Sequence, residues 1–241
     1  MAGDGTVYVS DPLHDRVQIF DESGAFQTVW GGFGTEPGQF DTPLGMVIDS
    51  SGARFLSSTA RITGYRRCRP TDRFWRSSAV TVRATTAMAD PGQFHDPHGI
   101  ALDNQGNIYV TDTANNRVQK LSPDGTPITT WGSEGIGTGQ FRRPVAIAVN
   151  DAAGTVYVGD QQNQRIQMFS LDGEHLGQWN SRVTLTGLAI DDLDRLFVAY
   201  TEDTENNLQQ LDIDGDFLVI RGGRAFGEHD FLGPAGVALR P

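Results

Sequence analysis

Hydrophobic positions along this chain come in short runs divided by glycine-rich turns, a pattern of strands rather than of long helices. Gly99-Ile100-Ala101-Leu102 is compact and apolar, and Ile108-Tyr109-Val110 is β-branched and aromatic. Val17-Gln18-Ile19-Phe20 alternates, and a fourth kind of run ends on a tryptophan, as at Trp131. An Asp-Gly or Ser-Gly pair separates the third run from the fourth, which marks a hairpin.

This set of four runs recurs. Residues 97–132, 144–179 and 5–32 share one pattern, and 186–223 is a weaker copy. Asp to Arg is five residues in Asp11/Arg16, Asp112/Arg117 and Asp160/Arg165. Arg to the turn glycine is eight (Gly24, Gly125, Gly173), and Arg to tryptophan is fourteen (Trp30, Trp131, Trp179). The weak copy keeps the frame as Glu202, Asn207, Gly215 and Arg221. Four-stranded units of about 40–50 residues stacked around an axis make a propeller. The expected fold class is therefore all-β: one β-propeller domain of four-stranded antiparallel blades.

The landmarks Pro-x-Gly-Ile-Ala, Tyr-Val-x-Asp, Asn-x-Arg-Ile-Gln and Asp-Gly resemble those of the NHL repeat family, over nearly the whole chain. The resemblance implies the propeller and says little about activity, because one fold hosts many functions. First strands fall at Pro43, Pro97, Pro144, Thr186 and Pro234, which counts five repeats. The chain ends on a first strand, Gly233–Leu239, and begins on a second. Residues 233–241 and 1–32 are therefore expected to complete one blade together and hide two sheet edges. The other blades are placed at about 43–90, 97–132, 144–180 and 186–223. The result is a five-bladed ring, or a piece of the six-bladed ring common in the family.

The second blade departs from the frame. After Pro43–Asp49 the chain becomes arginine-rich: residues 50–89 hold eight arginines and the single acid Asp72. Their balance is +7, against −18 for the rest and −11 for the whole chain. A pair of compensating frameshifts explains the reversal. Read in the shifted frame, with permitted wobble bases, Ser57 to Ser78 becomes VVDSANHRVQKVSPDGPFLAQF. The shifted aspartate then falls at Thr59, the arginine at Gly64, the turn glycine at Asp72 and the aromatic end at Ser78, at the intervals of the other blades. On this reading the basic patch, Cys68 and Trp75 carry no function, and the blade as written is expected to be poorly ordered between about 54 and 90. The alternative is a genuine basic insertion for an acidic partner.

Charge and composition narrow the rest. An acidic surface repels phosphate backbones, so nucleic acid is not an expected partner, although some animal NHL proteins bind RNA through a basic face. No apolar run reaches the roughly 18 residues of a membrane helix, and the start Met1–Gly5 is polar, so no signal peptide or membrane span is expected in this chain. The compartment is left open. With Cys68 the single cysteine, no intrachain disulfide or thiolate cluster can form. Lys120 is the single lysine, a bias read as coding rather than function.

The Asp/Arg pairs recur at one place in each blade, which an active site would not do. They are expected to be arginine forks tying the connection between second and third strands. First strands line the channel of a propeller, and the same column reads Leu44, His98, Val145, Thr186 and Ala235. His98 in its Pro-His context is similar to zinc-binding histidines of peptidyl-hydroxyglycine amidating lyase, an NHL-type enzyme. Zinc needs about three protein ligands, and this column offers one. His14, His95, His175 and His229 are expected in loops or turns at unrelated repeat positions. Gly31–Gly34 and Gly132–Gly135 lead into no helix and so are linkers rather than phosphate loops. Asp212-Ile213-Asp214-Gly215-Asp216 opens like a calcium loop, but its closing acid would be Gly223. No catalytic residue, cofactor or metal is expected, with zinc at His98 and surface calcium as the weak candidates.

The expected function is a non-catalytic scaffold holding a protein, peptide or small ligand on a propeller face, and the alternative is a metal-dependent lyase. Resequencing the coding DNA across residues 50–93 is expected to reveal single-base errors. An unchanged frame would remove the frameshift reading and make the arginine-rich segment a real surface.

Overall fold

The computed structural model describes residues 7–11, 14–20, 26–34, 39, 43–48, 55–59, 65–68, 90–181, 184–191, 194–201, 206–212 and 215–221. Expectations for 233–241, and so for ring closure and Ala235, lie outside these residues, as do Asp72, Trp75, Ser78 and His229.

The described residues form antiparallel sheets laid down in chain order. The first sheet holds β1 (Val7–Asp11), β2 (Arg16–Phe20) and β3 (Phe26–Gly31); the second holds β4 (Pro43–Ile48), β5 (Phe55–Thr59) and β6 (Tyr65–Cys68). Three four-stranded sheets follow. The third sheet is β7 (Pro97–Leu102), β8 (Ile108–Asp112), β9 (Arg117–Leu121) and β10 (Pro127–Trp131). The fourth is β11 (Pro144–Asn150), β12 (Thr155–Asp160), β13 (Arg165–Ser170) and β14 (His175–Asn180). The fifth is β15 (Leu185–Ile190), β16 (Leu196–Thr201), β17 (Asn206–Leu211) and β18 (Phe217–Arg221). Each four-stranded sheet is a meander in which every strand pairs with the next, as the fourfold pattern predicts. His175 opens β14 instead of lying in a turn, because the strand starts directly after the Asp172-Gly173 hairpin.

Sheets pack face to face with their chain neighbours, so inner strands are buried on both sides. All residues of β8 and β12 are buried, whereas β14 alternates between half-buried and exposed at the rim. Tyr109, Val118, Phe141, Val156, Val158 and Phe169 fill the seam between the third and fourth sheets. Tyr157, Ile166, Leu185, Leu196, Val198 and Tyr200 fill the next seam. Close approach explains the glycine of the Pro-x-Gly landmark: a Cβ on Gly99 would stand 2.8 Å from the carbonyl oxygen of Val145 on the neighbouring first strand. The turn glycine and tryptophan landmarks meet across the seams. Gly173, at φ +91°, lies against the Trp131 ring, and Gly215, at φ +84°, against Trp179.

Register ties the repeat landmarks to geometry. Asp11, Asp112 and Asp160 end their second strands directly opposite Arg16, Arg117 and Arg165. On the other flank Asp112 pairs with Pro97, and Asp160 with Pro144. The fifth sheet departs from the expected frame. Tyr200 pairs with both Leu185 and Asn207. Tyr200, not Glu202, therefore takes the aspartate's place, and seven residues rather than five separate it from Asn207 in the arginine's place, because Thr201 and Asn206 add one pair to the ladder. Asn207 and Arg221 keep their places, since Leu208 pairs with Arg221 as Ile166 pairs with Trp179.

The second sheet keeps the register without the chemistry. Thr59 pairs with Pro43, the place of the aspartate, and Ser58 with Tyr65, as Gly159 pairs with Ile166. This is the alignment the shifted frame requires. Two strands, β5 and β6, thus form within the span expected to be poorly ordered, β5 pairing with Met46, Val47 and Ile48 of β4 and β6 with the far edge of β5. The remainder of that span lies outside the described residues.

Candidate functional site

Asp112 and Asp160 are wholly buried, and a buried carboxylate must be compensated by donors. Asp112 accepts from the backbone N–H of His95 (2.7 Å), the Asn115 amide (2.9 and 3.0 Å), Arg117 Nε (2.6 Å) and Gln119 Nε2 (3.0 Å). Asp160 repeats the set with Arg142 N–H (2.7 Å), Asn163 (2.8 Å), Arg165 Nε (2.8 Å) and Gln167 Nε2 (3.2 Å). The left-handed residues Asn116 and Gln164 close the 3-10 turns at Thr113–Asn115 and Gln161–Asn163 that carry these asparagines. In the first sheet the register sets Arg16 opposite Asp11, and Arg16 is half-buried.

The arginines reach further than the strand connection they were expected to tie. Arg165 donates to the carbonyl oxygens of Ile136, Gly137 and Gln140, at 2.9, 2.9 and 2.7 Å, along the incoming linker. Arg117 donates to Gln93 O at 2.8 Å. The glutamine two residues after each arginine, a landmark not singled out as a site residue, does the same. Gln119 clamps Gln93 O (2.6 Å) and Gly92 N–H (2.8 Å), and Gln167 clamps Gln140 O (2.7 Å) and Gly139 N–H (3.0 Å). Each network therefore fixes the linker that delivers the first strand of its own sheet. Lys120 is also structural: buried over the Tyr109 ring, it bonds Leu171 O at 3.0 Å and Asp172 at 3.1 Å across the seam.

Of the column expected to line a channel, Val145 is buried in the seam beside Leu185 and Leu188. Thr186 is half-buried, and the side chain of Leu44 lies outside the described residues. His98 is partly buried, its Nε2 3.3 Å from Asp96 Oδ2 and 3.5 Å from Arg143 Nη2. One ring nitrogen cannot donate to Asp96 and accept from Arg143 at once, and the proton on Nε2 satisfies Asp96. That hydrogen bond holds the Asp96 carboxyl below its ordinary pKa, against the opposing effect of burial, with the His98 and Arg143 charges adding to the lowering. A zinc ion at Nε2 would sit beside the Arg143 guanidinium, and among the described residues no three His, Cys, Asp or Glu side chains converge. The residues present do not fit the zinc that the lyase resemblance implies. His175 stacks edge-on against Phe169 at 5.4 Å, and burial, aided by Arg165, lowers its pKa. Asp212 turns its carboxylate onto the Asp216 N–H of its own turn (2.8 Å).

A polar cleft of about 340 Å³ opens beside this cluster, where the 3-10 turns and the linker of the third and fourth sheets meet. Thr113, Asn116, Glu134, Arg142, Arg143 and Gln162 line it.

The NHL repeat family model matches residues 94–121, which run from Phe94 through the Asp112/Arg117 pair to Leu121. Residues 94–121 are an NHL repeat. The Drosophila melanogaster protein wech is 30% identical over 95 residues, 39% of this chain and 11% of its own length. NHL repeat-containing protein 3 of Mus musculus is 32% identical over 119 residues, 49% of this chain and 32% of its own length. The chain spans less than a third of the length of these relatives. Among solved structures, a chain of the nidogen/laminin complex superposes with TM-score 0.66 at 14% identity, over 97% of this chain and 81% of its own. A streptogramin B lyase gives 0.62 at 13%, over 98% and 70%. A gluconolactonase from Xanthomonas campestris gives 0.66 at 18%, over 89% and 71%. At these identities the likeness shows the β-propeller fold alone. No helix among the described residues is long and apolar enough to cross a membrane.

Replacing Asp160 by Ala leaves the buried Arg165 uncompensated and is expected to cost about 3–5 kcal/mol, read from urea unfolding. Because the Asp96 pKa is lowered in the folded state, its stabilising contribution is in place above the ordinary carboxylate range and is lost as pH falls through the folded value. His98→Ala is therefore expected to raise the Asp96 pKa, followed by NMR titration of its carboxyl carbon.

Proposed function

We propose that this NHL-repeat propeller is a non-catalytic scaffold that holds a protein, peptide or small ligand on one of its faces. The observation that carries this reading is the use of the buried charges. Asp112 and Asp160 spend their acceptor capacity on linker N–H groups, asparagine, arginine and glutamine, and their arginines spend their donors on linker carbonyls. The recurring Asp/Arg pairs thus hold the frame and keep no lone pair or proton for a substrate. What remains for a ligand is the set of side chains displayed on turns and linkers, where a rigid propeller presents a broad surface. A nidogen/laminin chain among the fold neighbours supports binding as a use of this architecture.

The competing reading is a metal-dependent lyase centred on His98, favoured by its first-strand position. Metal content and thermal unfolding decide between the two. The scaffold reading expects substoichiometric zinc in the purified chain and one melting temperature with and without chelator, unchanged in His98→Ala. One tightly bound zinc per chain, lost in His98→Ala together with a lower melting temperature, would establish the metal site.

A further inference from the structure

Function in a repeat protein is sought where side chains differ while the backbone repeats. The two residues between the linker Phe and the first-strand Pro are such a place. They read Asp41-Thr42, His95-Asp96 and Arg142-Arg143 in successive repeats. In the third and fourth sheets their backbone is the same. His95 and Arg142 each donate N–H to the buried aspartate at 2.7 Å. Their carbonyls accept from Ala114 and Gln162 at 3.0 and 3.1 Å. Asp96 and Arg143 both take the left-handed conformation, at φ 50° and 57°, a strained state for residues other than glycine and held here by those bonds. The fold dictates where these side chains start and leaves their chemistry free.

From this juxtaposition of the paired arginines, the exposed Glu134 and the polar cleft, we infer that the junction of the third and fourth sheets is a binding site for a small carboxylate-bearing ligand. Arg142 and Arg143 are the sole adjacent basic pair outside residues 50–89. Arg143 is partly engaged by Asp96, at 3.9 Å, while the Arg142 guanidinium has no ion pair or hydrogen bond among the described residues. Both line the cleft of about 340 Å³, a volume in the range of small-molecule sites. A guanidinium fork matches the planar carboxylate. Glu134, Asn116 and Gln162 share the cleft and favour a ligand that also carries hydrogen-bond donors, such as a hydroxy acid. Glu134 weighs against a densely charged anion, which selects carboxylate over phosphate.

Citrate, inorganic phosphate and glycerol titrated calorimetrically into the chelator-treated full chain at low ionic strength test the site apart from any metal. Saturable binding of citrate is expected, with phosphate about fivefold weaker and glycerol silent. Arg142→Gln, whose native side chain supports no other group, is expected to weaken citrate about tenfold, and Glu134→Gln to strengthen it about threefold. Thermal unfolding equal to that of the native chain confirms that both variants fold. Absence of saturation, phosphate binding at least as tight as citrate, or an Arg142→Gln variant that binds as the native chain does would overturn the inference. None of these outcomes bears on whether His98 holds a metal.

Discussion

A carboxylate closed off from water at the end of a second strand is the constraint around which each regular blade of this propeller is arranged. Such a group is tolerated only when donors surround it, and the donors it collects come from three separate stretches of chain. Asp160 takes one N–H from the linker before its sheet, an amide from the 3-10 turn beside it, and a guanidinium and a second amide from the following strand. Satisfying one buried charge therefore fixes the linker, the turn and the hairpin together. The arginine extends the hold by donating to three carbonyls of the linker. Phe141 then enters the seam beneath the linker, and Pro144 begins the next inner strand opposite the same aspartate.

Sheets without the pair show what it does. In the fifth sheet Tyr200 and Asn207 stand where the aspartate and arginine belong, seven residues apart rather than five. A buried tyrosine fills volume and does not gather a linker, and the ladder runs one pair further, to Thr201 and Asn206. In the second sheet the register survives with Thr59 in the aspartate's place.

Much of this was legible in the chain. Fixed intervals between Asp, Arg, Gly and Trp give the hairpins their lengths, because pairing two strands across a turn leaves no slack in the count. The tryptophan and turn-glycine intervals also encode a contact between neighbouring sheets, Trp131 on Gly173 and Trp179 on Gly215, since only a glycine at positive φ leaves room for the indole. Partners across the seam were less legible. Nothing in the spacing of Gln119 or Gln167 says that its amide turns back to a linker some 26 residues earlier. The shift from Glu202 to Tyr200 was hidden for a related reason: the five-residue spacing to Asn207 points to Glu202, and only the pairing of Tyr200 with Leu185 decides otherwise. His175 was misplaced because Ser170 and Glu174 close a tight turn around residues 171–173 and let the strand begin at the next residue. The cleft was invisible, since Arg142, Asn116 and Gln162 come together only once three connections share one end of two sheets.

Frame and function part at the same buried charge. A residue repeated in kind and place answers a demand every blade makes, and here the demand is compensation of one buried charge. A residue repeated in place and not in kind answers none, provided its backbone is held by others. His95-Asp96 and Arg142-Arg143 meet that condition: the N–H groups of His95 and Arg142 are bound by the recurring aspartate and their carbonyls by backbone N–H groups of the 3-10 turns, and their side chains differ in charge. In an acidic protein, two adjacent arginines facing a polar cleft carry mutual repulsion, and Asp96 relieves it at Arg143 alone. A position that bears such a cost with no role in the frame is where a propeller is free to meet a ligand.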